Sequence, residues 1–384
     1  MTDAEFLLLL VAGVYLSECA RWVRPEMIVF WTPLGTRWRA AWSGRLIGNQ
    51  QGGLKFCNPL PPLGQIFVCR AWPISLSPEG VLGYVAQAVG QRERPPQSGL
   101  YFRWDEVRSA KVDGRSLLVN GRLLATVGSR QLAAELAKLL RSLSKARPER
   151  RARIIERSLR SSFDVEALRS VWKQFRRNSW GLRMLCNLLV LFVFINGPLL
   201  IWLPNYWQRW LSLLATLLLM VVGVNLEYFL LHRHYFREAR GERWKHLALM
   251  AFSPMAAMRA HDTLSYDLLA EFHPLTVAQV LLPPRRFAEF AGPILRDLRH
   301  PLPSPDAELD AQSRSVAAWH RQLLDRSIAS LLEAASLSEV ELLAPPEREG
   351  EDCLAYCPRC HGQYAIASGE CTACAGLTLV PWAT

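Results

Sequence analysis

Five of the nine cysteines in this 384-residue chain fall within its last 32 residues. Four of the five form two pairs, Cys357-Pro358-Arg359-Cys360 and Cys371-Thr372-Ala373-Cys374, with ten residues between them. Two CxxC turns facing each other let four thiolates converge as a tetrahedron, and Zn2+ is the ion best suited to such a sulfur set. Four protein ligands leave no open coordination position, so a site of this kind is structural: it holds the chain and activates no water or substrate. Cys353 and His361 are the available substitute ligands. A redox role for either pair is disfavoured, because two pairs at this spacing argue for one shared ion. Cys19, Cys57, Cys69 and Cys186 are scattered. An odd, unevenly spread set excludes a disulfide framework and agrees with a reducing compartment.

Residues 351–384 resemble a zinc ribbon, with Cys-Pro-x-Cys as the first knuckle. The glycine usual directly after the second cysteine of each knuckle is replaced by His361 and Ala375, and Gly362 and Gly376 stand one place later. The resemblance implies a small folding unit for which the metal supplies most of the stability.

A second group that could do chemistry is His261, Asp262, Asp267, Glu271 and His273. On one continuous helix Asp267 and Glu271 share a face at i, i+4, and such carboxylates with histidines could serve a metal-dependent hydrolase or a general acid–base pair. No HExxH signature accompanies them, and Pro274 ends any helix beside His273. The chemistry expected of them is therefore capping and internal pairing. His232 and His234 with His261 are too few and too far apart for the histidine boxes of membrane di-iron enzymes. The chain has no P-loop, no Rossmann glycine fingerprint and no GxSxG elbow.

These groups hang on a chain organised by one stretch, Leu185 to Leu231. It holds two apolar runs separated by PNYWQRW, each near the ~20 residues that cross ~30 Å of hydrocarbon. The connector carries Trp202, Tyr206, Trp207 and Trp210, residues suited to a membrane–water interface. The spacing predicts a transmembrane hairpin over 185–231. The net charge is +11, and its location is informative. Arg141 to Arg183 holds 13 Lys or Arg against 4 Asp or Glu. Arg233, Arg237, Arg240, Arg243 and Lys245 follow the second run, while the connector has only Arg209. Positive charge at both open ends places them in the cytoplasm. Asn196 and Asn225 are expected to hydrogen-bond between the two helices, and Asn187 and Glu227 to reach headgroups.

An N-terminal apolar run with Asp3 and Glu5 before it and Arg21 and Arg24 after it predicts a short uncleaved anchor over 5–22. Residues 26–143 read as β-rich. VRSAKV, RSLLV and RLLATV are joined by Asp113-Gly114 and Asn120-Gly121, which supply the positive φ of tight hairpin turns. A helix opened by Ser129 follows, with a leucine stripe from Leu132 to Leu143. Short strands closed by one C-terminal amphipathic helix resemble, over about 70–143, a bacterial pleckstrin-homology-like domain. The resemblance implies a curved half-barrel that binds partners or lipid headgroups rather than an enzyme.

Residues 145–183 predict basic amphipathic juxtamembrane helices that could lie on anionic lipid or serve only to set topology. Residues 246–343 predict a helical cytoplasmic region, in which 246–260, broken by Pro254, packs under the bilayer or lies in its surface. The whole is an α+β membrane protein: N-terminal anchor helix, β-rich PH-like domain, transmembrane helical hairpin, helical cytoplasmic region and C-terminal zinc ribbon. The layout resembles that of bacterial multi-pass inner-membrane proteins ending in a zinc ribbon. The expected role is a non-enzymatic inner-membrane scaffold or regulator. Its partners would be the lipid bilayer, anionic lipid headgroups and a cytoplasmic protein. Nucleic acid is not expected, since the basic stretch sits beside the bilayer and carries no base-reading motif. The alternatives are a membrane enzyme acting on lipid or peptide through 261–273 and an accessory subunit of a transport complex.

Overall fold

The computed structural model describes residue 9 and residues 27–33, 64–70, 74–84, 99–114, 116–127, 130–202, 206–236, 240–269, 271–282, 284–300, 311–372, 374 and 376–382. The anchor expected over 5–22 lies outside these apart from Leu9, which is helical. The protein is mixed α and β, mostly helical.

Strands β1 (Met27–Pro33) and β2 (Gly64–Arg70) pair antiparallel, Met27 opposite Arg70. Then come two three-stranded antiparallel meanders, β3 (Ile74–Leu76), β4 (Gly80–Tyr84), β5 (Gly99–Arg103), and β6 (Ala110–Asp113), β7 (Ser116–Val119), β8 (Arg122–Thr126). The two sheets meet at Gly83, where a Cβ would stand 2.1 Å from the Leu124 carbonyl oxygen. Only glycine permits that approach. Helix α1 (Arg130–Lys145) closes the unit by burying Leu132, Leu136, Leu140 and Leu143 against Ile74, Val81, Trp104 and Leu117. The indole of Trp104 donates to the Ser77 carbonyl at 2.8 Å, which satisfies its one polar atom inside the core.

The turn residues behave as expected. Gly114, Asn120 and Gly121 have φ of 59°, 52° and 82°. Asn120 does more than turn: its Oδ1 accepts from the Arg108 and Ser109 amides and its Nδ2 donates to the Glu106 carbonyl. Asn120→Gly should keep the turn and lose only the clamp. Asn120→Ala loses both and is expected to cost about 1–2 kcal/mol more, the usual penalty of a left-handed alanine, read as the difference in thermal unfolding.

Helices α2 (Pro148–Ser162) and α3 (Val165–Asn178) occupy the basic stretch. Pro148 opens α2, and Asp164 caps α3 by accepting from the Ala167 amide at 2.8 Å. Their apolar stripes are already used. Ile155 and Leu159 join the core under the β-sheets, and Leu168, Trp172 and Phe175 join the helical core. What faces outward is Arg169, Lys173, Arg176 and Arg177. The protein's own interior thus covers the apolar face of both helices, and the side turned outward is basic.

The hairpin stretch forms α4 (Trp180–Trp202) and α5 (Trp210–Tyr235), joined near a 3-10 turn at Tyr206–Arg209. At about 1.5 Å per residue they run about 35 Å and about 39 Å. Among the described residues one helix, α5, is long and apolar enough to cross a membrane by length and composition. The helices pack side by side, with Gly181 against Glu227 and Gly223 against Leu185. Near their base Leu182, Cys186, Leu189, Val224 and Tyr228 are buried. Farther out, Leu188, Leu191, Leu211, Leu218, Leu219 and Val222 are exposed. Asn196 and Asn225 each donate to the carbonyl four residues back on their own helix, both at 2.8 Å.

Helices α6 (Arg240–Phe252), α7 (Pro254–Met258) and α8 (Ala260–Leu269) pack against the hairpin base, α9 (Pro274–Leu281) packs on α3, and α10 (Pro284–Arg299) packs on α9. The β1–β2 pair rests on α8 and α9 through β2. Helix α11 (Ala311–Ala334) crosses to the β unit, where His320 Nδ1 accepts from the Leu76 amide at 3.4 Å. That contact caps β3, the edge of its sheet, against stray strand pairing. Arg299 binds Asp325 and Glu339 at 2.6 Å each, tying α10 to α11 and to α12 (Glu339–Leu342).

Candidate metal centre

Beyond the charged linker at 345–350 the chain is too short to build a sizeable core. Its strands are two residues each. The order β10 (Gln363–Tyr364), β9 (Ala355–Tyr356), β13 (Val380–Pro381) makes one sheet, and β11 (Glu370–Cys371) with β12 (Leu377–Thr378) makes the other. Each CxxC pair sits on a tight turn. The first is closed by the Cys357 amide donating to the Gly362 carbonyl and the His361 amide donating to the Cys357 carbonyl, both at 2.9 Å. The second is closed by the Cys374 and Gly376 amides, which donate to the Cys371 carbonyl at 3.2 and 3.3 Å.

Both knuckles manage without glycine directly after the second cysteine, in different ways. In the first, His361 itself takes the left-handed conformation, φ 60°, and the Gly362 amide points at Cys360 Sγ from 3.4 Å. In the second, Gly376 is left-handed, φ 87°.

The ligand atoms of Cys357, Cys360, Cys371 and Cys374 all lie within 4.8 Å of one another. Cys360 and Cys371 Sγ are 3.7 Å apart. Metal–sulfur bonds of about 2.3 Å at tetrahedral angles place sulfurs about 3.8 Å apart, so the cluster fits a metal ion. Cys357, Cys371 and Cys374 are buried and Cys360 is exposed. Neither Cys353 nor His361 belongs to the cluster.

The thiols cannot all ionise together unaided. Burial pushes Cys360 up to about 11 and raises Cys374 further, with neighbouring thiolates adding to both. Burial also acts to raise Cys371. There the hydrogen bonds of Tyr364, Cys357 and Cys360 outweigh it and draw the thiol down to about 7. One anion is favoured and its neighbours are opposed, a conflict that a shared cation removes.

Two kinds of supporting residue were not apparent in the spacing. The Tyr364 hydroxyl lies 3.0 Å from Cys371 Sγ. Arg296 of α10, 63 residues before the first knuckle's Arg359, donates from Nε to the Arg359 carbonyl at 3.2 Å. Tyr364 could have been suspected from its place between the knuckles. Nothing local marks Arg296. Both guanidinium groups, Arg296 and Arg359, feel the thiolates, which oppose the lowering that burial imposes on each. The contact docks the ribbon on the helical body.

The second group is dispersed among separate partners. His261 is buried, its Nε2 3.1 Å from Ser179 Oγ and its Nδ1 3.5 Å from Ser265 Oγ. Asp262 is buried and paired with Arg259 at 3.1 Å. Burial, against the pull of Arg259 and Arg183, pushes its carboxyl up to about 6. Helix α8 ends at Leu269, so Glu271 lies in the following turn and does not share a helical face with Asp267. The reason is Pro274, which holds His273 extended at φ −65°, ψ 142°. His273 then caps α9, accepting the Leu275 amide at Nδ1, and stacks on Phe163. Among the described residues these side chains form no metal-binding group; the four cysteines do.

Burial lowers His261 to about 3, with Arg183 and Arg176 adding to the shift, and lowers His320 to about 4. A folded value below the ordinary 6.5 means that the unfolded chain takes up the proton first. The stability each histidine contributes is complete above about pH 6.5 and is lost as pH falls toward its folded value. Denaturant melts between pH 7 and 4 are expected to show this loss, and His261→Gln to flatten the slope by up to about 1.4 kcal/mol per pH unit.

No protein-family model, no curated protein and no solved structure matches the chain.

Proposed function

We propose that this protein is a non-enzymatic scaffold of the bacterial inner membrane, anchored by the α4–α5 hairpin, with its β-rich unit and its ribbon on the cytoplasmic side. The observation that carries the reading is the surface of the hairpin. Among its described residues the outer half exposes Leu191, Ile195, Leu211, Leu214, Leu218, Leu219 and Val222, and the only charged residue between Met184 and Leu226 is Arg209, in the connector. Four of its polar side chains bond to their own helix: Asn196 to Phe192, Ser212 to Arg209, Thr216 to Ser212 and Asn225 to Val221. Lipid offers no hydrogen bonds, so a spanning helix satisfies its polar groups internally. The exposed arginines of α3 and the basic residues after α5 set the orientation and meet anionic headgroups through charge alone.

In this reading the metal is Zn2+, held by Cys357, Cys360, Cys371 and Cys374 as a closed structural site, and the ribbon docks a cytoplasmic protein. The two meanders closed by α1 form a PH-like unit with the same task. The enzyme alternative is weakened because His261, Asp262 and His273 are each engaged with a different internal partner. The transport-subunit alternative stays open through the same bare hairpin faces.

The test is the fate of the full chain in cells. It should resist carbonate washing of membrane vesicles, and a tag at Thr384 should be cut by protease only after the cells are opened. Release by carbonate, or cleavage from outside intact cells, overturns the reading. Combined alanine substitution of Asp267, Glu271 and His273 should leave cellular function intact at normal protein level. Loss of function at normal level favours the enzyme.

A further inference from the structure

The described residues expose one more large apolar surface, and it lies outside the hairpin. Phe252 ends α6 and is 90% exposed. On the same outer side stand Leu249 and Trp244. The inner side is fully engaged. Met250 is buried, the Tyr228 hydroxyl lies 2.6 Å from His246 Nδ1, and Arg243 stands over the Phe229 ring at 5.1 Å. Helix α6 therefore turns back along α5 instead of leading away from it. Its continuation α7 stands beside the other hairpin helix, where Cys186 Sγ reaches the Ala257 carbonyl at 3.4 Å.

The register of the hairpin gives these residues heights. Gly181 abuts Glu227, so its neighbour Trp180, 66% exposed, stands at the Glu227 level. Trp244, 63% exposed, lies 6.0 Å from the Phe229 ring. Positions 227 and 229 differ by about 3 Å along a helix, so two exposed tryptophans mark one level on the molecule. Cys186 lies five residues past Gly181, about 8 Å farther along α4. The α6–α7 corner thus climbs past the tryptophan level, to where the outward sides of the hairpin expose Met184, Leu188 and Leu226.

We propose that this corner is a shallow membrane wedge. Leu249 and Phe252 enter the hydrocarbon edge of the leaflet around the hairpin base, and Trp244 with Trp180 sits among the headgroups. The inference rests on the membrane reading of the hairpin and adds to it a second, non-spanning lipid contact. Three features select lipid over a soluble partner. The surface is continuous in level with the bare hairpin. No charged residue occurs from Leu247 to Met258, while exposed Arg233 lies below the tryptophan level and exposed Lys245 directly follows Trp244. The corner also satisfies its own backbone: the Ser253 amide donates to Leu249, the Ala257 amide to the Ser253 carbonyl, and Ser253 Oγ accepts from the Ala256 amide. An irregular corner tolerates hydrocarbon only when its polar groups are paired in this way. A depth of about 5–10 Å is the range of interfacial helices.

The test is photocrosslinking of the full chain in phospholipid vesicles, with p-benzoylphenylalanine placed in turn at Phe252, at Val222 on the hairpin and at Val340, which is 81% exposed on α12. The expected result is phospholipid adducts at 252 in yield comparable to 222, with none at 340. Adducts at 222 and none at 252 overturn the wedge and leave the hairpin reading standing. A protein adduct at 252 in place of lipid overturns it as well, since a partner then covers the corner. No lipid at 222 removes the membrane reading and the wedge together.

Discussion

Replacing Cys371 with serine, or stripping metal from the intact chain with a chelator, is expected to unfold residues 351–384 and leave the remainder folded. The magnitudes leave little room for another outcome. Among its described residues this segment buries, apart from the cysteines, two apolar side chains, Ala355 and Leu379, with Tyr364 and Leu377 packed against them. A fully buried leucine contributes about 1.5–3 kcal/mol. Ordering each residue of backbone costs about 1–2 kcal/mol, so a unit of this length without metal falls far short. A structural zinc ion in a small peptide contributes about 10–16 kcal/mol near neutral pH, which is the scale required. The measurements are metal content of the purified chain, expected to drop from one zinc to none, and limited proteolysis, expected to remove the C-terminal segment. Cys353→Ser should change neither, since Cys353 lies outside the cluster. A ribbon that stays protease-resistant without metal would show that Arg296 and the helical body hold it instead.

The second large effect concerns the hairpin. Leu218 and Val222 are exposed on α5. If water surrounds them, Leu218→Arg and Val222→Arg are close to neutral, within about 0.5 kcal/mol as for most surface changes. If hydrocarbon surrounds them, each costs about 2.5–3.5 kcal/mol near the centre of a span. The expected result is a marked fall in the fraction of chain recovered in carbonate-resistant membranes, larger for the double substitution. Val340→Arg on α12 serves as the exposed control and should have no effect. Equal recovery of all three variants would make the α4–α5 surface an ordinary protein–protein face.

Much of the local structure was legible because local rules govern it. Gly114, Asn120 and Gly121 take the positive φ that their dipeptides require. Pro148 opens a helix in the basic stretch. The two apolar runs form helices slightly longer than the runs themselves, Trp180–Trp202 and Trp210–Tyr235. Elsewhere a distant contact decided what a local pattern left open. The stripe Leu168, Trp172 and Phe175 is amphipathic by spacing alone, and periodicity does not say whether lipid or protein covers an apolar face.

The metal site divides in the same way. Its four ligands follow from sequence, since a CxxC turn places two sulfurs by itself and ten residues suffice to fold one turn onto the other. The choice of His361 over a glycine for the left-handed position, the hydroxyl of Tyr364 at Cys371 and the anchoring of the ribbon by Arg296 do not follow. Those depend on which surfaces meet once the helices have assembled, and no spacing rule reaches from α10 to the first knuckle. Sequence alone determined which residues could share an ion and which segments were greasy enough to leave water. Tertiary structure decided which apolar faces were already covered and which remained bare, because burial belongs to a pair of surfaces and cannot be assigned from one of them.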